Sequence, residues 1–151
     1  MAYIVVDTCV VMHIMRKNQQ GQRALDFINN QPEEPTIILS AVTKAELQSL
    51  ALQHQWGNTR KSFIDYFIKS AMVVDINHTD NQLISAYAEI DTYSKGKGQD
   101  PQGNRKPGSA NKMGKNDLWI AATALVLDAI LLTADGDFDH LVNTFFKIEK
   151  V

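Results

Sequence analysis

Residues 3–12 read Tyr-Ile-Val-Val-Asp-Thr-Cys-Val-Val-Met, and this stretch decides the fold class. Tyr3 to Val6 is a short, β-branched apolar run, the pattern of a buried strand. Asp7 stops it. Thr8 then stands as a candidate cap for a helix carrying Val10, Val11, Ile14 and Met15 at helical spacing. A strand that ends on an acid and feeds straight into a helix places that acid at a strand C-terminus. In open parallel sheets, ligands bind along that edge.

The rest of the chain repeats the alternation. The spacing of Ala24, Leu25, Phe27 and Ile28 predicts a helix over about 20–30, and Pro32 and Pro35 break it. Thr36 to Leu39 reads as a second strand. Ser40 is a candidate cap for a helix through Glu46, Leu47, Leu50 and Ala51. Phe63, Ile64, Phe67 and Ile68 mark another helix, and Met72 to Ile76 a third strand. A helix beginning at Thr79 would turn Leu83, Ile84, Tyr87 and Ile90 inward. Beyond it come a helix over about 117–128, a strand at Ile130 to Thr133, a turn, and a last strand near 144–148. Alternating strands and helices imply an α/β fold with a mostly parallel sheet.

The 151 residues fit one domain over 1–151, long enough to bury a core without staples. A single cysteine, Cys9, excludes an internal disulfide framework and fits a reducing compartment. No secretory leader is expected at the N-terminus, and the apolar runs are too short to span a bilayer, so a cytoplasmic location is expected. The net charge of −2 conceals an asymmetry. Lys95, Lys97, Arg105, Lys106, Lys112 and Lys115 stand against Asp100 alone in a stretch with five glycines and two prolines, about 94–116. That composition predicts a long, mobile loop. Its charge suits a polyanion, and equally a solvated connection.

Asp7, Glu46, Asp117 and Asp135 each sit where an apolar run stops or a helix starts. Each has an ordinary reading. Asp7 can cap a helix, Glu46 can be a solvated helical residue, and Asp117 can answer a helix dipole. At least one of Asp135, Asp137 and Asp139 is turn chemistry. Four acids at four separate ends of one sheet edge form a more specific pattern. Carboxylates gathered there repel unless a cation neutralises them, and hard divalent ions prefer oxygen ligands, so a Mg²⁺ or Mn²⁺ site is expected.

Four segments in order, IVVDTCVVM (4–12), ILSAVTKAEL (38–47), KNDLWIAATAL (115–125) and ILLTADGDFDHL (130–141), make the sequence resemble the PIN-domain family. The resemblance implies a three-layer α/β/α sandwich around a parallel sheet. It implies a Mg²⁺- or Mn²⁺-dependent nuclease cutting single-stranded RNA. Small bacterial members are largely VapC-like toxins, so it also implies a cognate antitoxin and, commonly, a homodimer. It carries the catalytic and metal-binding roles onto Asp7, Glu46, Asp117 and Asp135, with Asp137 as a further metal candidate. It assigns supporting hydroxyls to Thr8 and Thr133. The basic residues Lys95, Lys97, Arg105, Lys106, Lys112 and Lys115 are candidates for gripping substrate. The connection over 94–116 is longer and more glycine-rich than is usual in the family.

The chemistry expected of such a site is metal-assisted phosphodiester hydrolysis, with Asp7 and Asp117 nearest the principal ion. Two other classes stay open: a catalytically inactive PIN module that binds RNA or protein, and a small-molecule phosphohydrolase. Other motifs fail on spacing. The Asp135 turn has His140 and Phe146 where a calcium loop needs Gly and Glu. No glycine-lysine segment matches a phosphate-binding loop. Cys9 stands where aspartyl phosphatases need a second acid, and the four histidines lack zinc spacing. Trp56, Trp119 and Tyr93 read as packing residues.

Overall fold

The computed structural model describes residues 2–151. Its strands are β1 (Tyr3–Val6), β2 (Thr36–Ser40), β3 (Met72–Val74), β4 (Ile130–Thr133) and β5 (Lys147–Lys150). They form one sheet in the order β3-β2-β1-β4-β5, with every neighbouring pair parallel. The helices are α1 (Thr8–Arg16), α2 (Gln19–Asn29), α3 (Ala41–Gln53), α4 (Asn58–Ser70), α5 (Asn81–Ser94) and α6 (Lys115–Leu127).

Successive strand side chains face opposite sides of a sheet. Ile4, Val6, Leu39 and Leu132 therefore join Val10, Val11, Ala24, Leu47, Trp56 and Ile64 on one face. Val5, Ile38 and Leu131 join Ile90, Tyr93, Leu118, Ile120, Ala121 and Phe138 on the other. Helices α1 to α4 thus cover one face and α5 and α6 the second, giving an α/β/α sandwich. Burial on both faces is why these strands read as unbroken apolar runs. Helix α6 is apolar almost all round because it is wedged between the sheet and α5.

Several boundaries differ from the sequence reading, each for a local reason. Asp7, not Thr8, caps α1. Asp80 rather than Thr79 caps α5, accepting the Leu83 N–H, so the helix starts at Asn81. That phase turns Ala86 inward and leaves Ile84 38% exposed. Strand β3 stops at Val74, and α6 begins at Lys115, which places Asp117 in its first turn rather than at its start. The last strand begins only at Lys147, because Phe145 and Phe146 are spent on the core first. Its charged residues suit an edge.

The long connection is 95–114, with Ser94 and Lys115 both helical. It carries hydrogen bonds of its own. Asp100 accepts the N–H groups of Gln102 and Asn104 at 3.0 and 2.9 Å, closing a turn at Gly103, whose φ is +85°. The Asn111 N–H binds the Ser94 carbonyl, and Met113 packs on the core.

Candidate active site

The strand order reverses between β1 and β4, and a crevice opens beyond the C-termini of strands at such a point. Val6 pairs with Leu132, and the Asp7 N–H continues the ladder to the Leu132 carbonyl. Asp7 and Thr133 are thereby placed side by side. The Thr133 hydroxyl donates to Asp7 Oδ2 at 2.7 Å, and the same hydroxyl oxygen accepts the Asp135 N–H at 3.0 Å.

Asp7 is only 4% exposed. Its Oδ1 accepts the Thr8 N–H, and its Oδ2 takes the Cys9 thiol at 3.1 Å besides Thr133. Burial raises its pKa above the ordinary value. The Thr133, Cys9 and Thr8 donors oppose that rise, and the Asp135 charge adds to it. Cys9 is pushed to about 12 by its own burial and by Asp7, so it stays a protonated thiol that donates to the carboxylate.

Glu46, on α3, accepts from the Thr8 hydroxyl at 2.9 Å, and Thr43 Oγ1 lies 3.0 Å from the same hydroxyl. Asp7, Thr8, Glu46, Asp117 and Asp135 line one open cleft of about 310 Å³, shared with Cys9, Met12, His13, Arg16 and Leu50. Asp117 and Asp135 of this cleft join Asp137 of the β4 turn in a group close enough for one ion, each offering a carboxylate oxygen within 4.8 Å of the others. Asp7 and Glu46 stand outside that triad, although Asp7 is the strongest charge acting on Asp117. Asp139 is turned elsewhere, paired with Lys150 at 3.0 Å.

Asp117 records how the acids combine. Its carboxyl is pushed up to about 7, by burial first and then by Asp7, Asp135, Asp137 and Glu46. Three carboxylates with converging oxygens beside an open cleft fit a hard divalent cation, which would offset that repulsion.

The basic residues divide. Lys95 is paired with Asp91, and Lys106 is bound to the carbonyls of Pro107 and Ser109 in its own loop. Among the described residues, the side chains of Lys97, Arg105, Lys112 and Lys115 carry no such internal partner. The loop is anchored beside the acids through Ser94, whose hydroxyl lies 2.8 Å from His140 Nε2 and 3.3 Å from Met113 Sδ. Burial and then Lys106 lower the His140 pKa, so this ring is neutral. Tyr93, 2% exposed and edge-on to Phe145, is not free to stack on a base.

Among the described residues no helix is long and apolar enough to cross a membrane. Comparison with known proteins agrees with this architecture. No curated protein sequence matches significantly. Among solved structures, a chain of VapBC2 from Rickettsia felis bound to a promoter DNA fragment superposes with a TM-score of 0.69 at 21% identity, covering 98% of both chains. A chain of VapBC-1 from nontypeable Haemophilus influenzae gives 0.68 at 23% identity, covering 99% of this chain and 98% of that one. VapBC-5 from Mycobacterium tuberculosis gives 0.65 at 18%, covering both chains completely. At such identities the likeness is one of fold. The PIN domain family model matches residues 4–143, from Ile4 of β1 through β4 and including every acid of the cleft, and the chain therefore belongs to the PIN domain family.

Proposed function

We propose that this chain is a Mg²⁺- or Mn²⁺-dependent ribonuclease that hydrolyses single-stranded RNA, and that it serves as the toxin of a toxin–antitoxin pair. The observation that carries the nuclease reading is the convergence of Asp117, Asp135 and Asp137 at the strand-order reversal of a PIN fold. The toxin reading draws on the VapBC assemblies among its structural relatives.

Asp117, Asp135 and Asp137 would hold the ion, with Asp7 and Glu46 of the same cleft completing the acidic ring directly or through water. A bound divalent ion supplies charge neutralisation at the phosphate and lowers the pKa of water. The protein's own task is to keep the carboxylates fixed. Thr133 holds Asp7 and the Asp135 amide together, Thr8 orients Glu46, and the Asp135 carboxylate accepts the Asp137 N–H at 2.9 Å. Asp117, raised to about 7, is about half protonated near neutrality, and a bound ion would favour its ionised form. Unpaired cations at the cleft and on the loop would attract the RNA backbone.

The test is cleavage of a labelled single-stranded RNA by the purified chain with Mn²⁺, with EDTA, and as Asp117→Asn. Cleavage that needs metal and is lost in the variant is expected. RNA binding without cleavage would instead favour an inactive binding module. Turnover of a chromogenic phosphomonoester alone would favour a small-molecule phosphohydrolase.

A further inference from the structure

The outer face of α1 carries two groups that no part of the carboxylate site uses. Cys9, Met12, His13 and Arg16 are spaced for one helical face, and all four line the cleft that holds the acids. Cys9 belongs to the Asp7 network. Arg16 lies about two turns further along, roughly 10 Å by helix rise. It is exposed and, among the described residues, has neither an ion pair nor a hydrogen bond, although its cleft is rich in carboxylates.

His13 is held in a defined state. The Gly21 N–H donates to Asn18 Oδ1 at 2.9 Å, which fixes the orientation of that amide. Asn18 Nδ2 must then be the group 2.7 Å from His13 Nδ1. An amide nitrogen only donates, so Nδ1 accepts and the ring proton sits on Nε2. Among the described residues, Nε2–H has no partner. Gly21 reinforces the arrangement by close approach, since a Cβ there would lie 2.2 Å from the His13 carbonyl oxygen.

We propose that His13 Nε2–H and the Arg16 guanidinium form a phosphate-binding subsite for single-stranded RNA. It takes the backbone phosphate next to the one at the carboxylates and so runs the strand along the cleft between α1 and α3. The proposal rests on the nuclease reading. It follows from charge: a polyanion entering an acidic cleft needs cations and donors where the acids end. Arg16 and His13 are the cation and donor that this cleft supplies, on the same lining as Glu46 and Leu50 of α3.

The experiment measures binding of a fluorescein-labelled oligouridine by anisotropy over a range of salt. It uses the unmodified chain with Ca²⁺, a hard cation that the carboxylates can hold, and the probe is checked for integrity on a gel. Removing one cation from a phosphate lowers the salt slope by about 0.7 and, near 0.1 M salt, weakens binding roughly fivefold. Arg16→Gln should do both, Arg16→Lys should restore most of the slope, and His13→Ala should weaken binding with less effect on it. Lys69→Gln on α4 makes the same charge change away from the cleft and should change neither. Melting curves should show that substitution at the exposed Arg16 position leaves folding intact. An unchanged slope and affinity in Arg16→Gln, equal losses in Lys69→Gln, or no binding even at low salt would overturn the subsite. If the unmodified chain fails to cleave RNA with Mn²⁺, the nuclease reading falls. If it cleaves while Arg16→Gln binds normally, only the subsite falls.

Discussion

The hydroxyl of Thr133 donates to the buried Asp7 carboxylate at 2.7 Å, across 126 positions of sequence. The same hydroxyl oxygen accepts the Asp135 N–H. One side chain thus ties the end of β1 to the turn that presents two of the converging carboxylates.

Replacing Thr133 by Val keeps the volume and removes both bonds. The fold should lose about 1–3 kcal/mol, the usual result of stripping a partner from a buried polar group. That is a drop of ~2–4 °C in melting temperature per kcal/mol for a chain of this size. The hydroxyl favours ionised Asp7, so the gap from the unmodified chain should narrow as pH falls and Asp7 is protonated. Thr133→Ser should retain most of the stability. If Thr133→Val melts together with the unmodified chain, the hydroxyl does not hold the two segments.

Asp117 gives the opposite sign. Its folded pKa of about 7 exceeds the ordinary 3.8, so between those values the folded state binds more protons than the unfolded chain. Its contribution is therefore most favourable at low pH and declines as pH rises towards and through 7. Asp117→Asn should flatten that decline and melt higher than the unmodified chain in EDTA at pH 8. It should also lose most of the stabilisation conferred by Mg²⁺. A lower melting temperature in EDTA would contradict repulsion among the acids.

Ion binding should release a proton where Asp117 still holds one. Calorimetric Mn²⁺ titrations in buffers of different ionisation enthalpy should find about one proton released per ion near pH 6. Near pH 8 the release should fall to roughly a tenth of that. Equal release at both pH values would place the neutral-range titration elsewhere.

Gly21 lies where α2 presses on α1. A Cβ there would meet the His13 carbonyl oxygen at 2.2 Å, a backbone atom with little room to retreat. Alanine gains about 1 kcal/mol of helix propensity over glycine. The clash should still leave Gly21→Ala destabilised by about 1–3 kcal/mol. Chemical denaturation measures it, and a stabilised variant would refute the close packing.

The loop cations should contribute unequally. Substituting Lys97, Arg105, Lys112 and Lys115 by Ala should reduce the salt slope of RNA binding by up to ~0.7 for each phosphate that no longer meets a cation. Lys95 and Lys106, already engaged with Asp91 and with loop carbonyls, should matter less. Equal effects from all six would mean that these internal bonds do not restrain the two lysines.

The sheet was legible in the chain because burial on both faces forces continuous apolar runs. Tyr3 to Val6, Thr36 to Leu39 and Ile130 to Thr133 could be read at once. Helix starts were less so: Thr79 and Asp80 are both capping residues, and only the Leu83 N–H chooses between them. Asp7 shows the limit of opposing readings, since it caps α1 while also facing the cleft. Among the crowded acids of the β4 turn, Asp139 was separated from Asp135 and Asp137 only by Lys150.

What the sequence alone determined was the alternation of strands and helices, and which residues stand at strand ends. Both depend on neighbours a few positions away. Which of those residues meet was decided by the parallel register and the strand order 3-2-1-4-5. That order sets β1 against β4 and brings the first turn of α6 over their ends. It also decided that Val10, Val11 and Ile14 turn to the core while His13 and Arg16 face the cleft. Helical spacing defines the faces of α1, but only packing against the sheet selects the one that is buried.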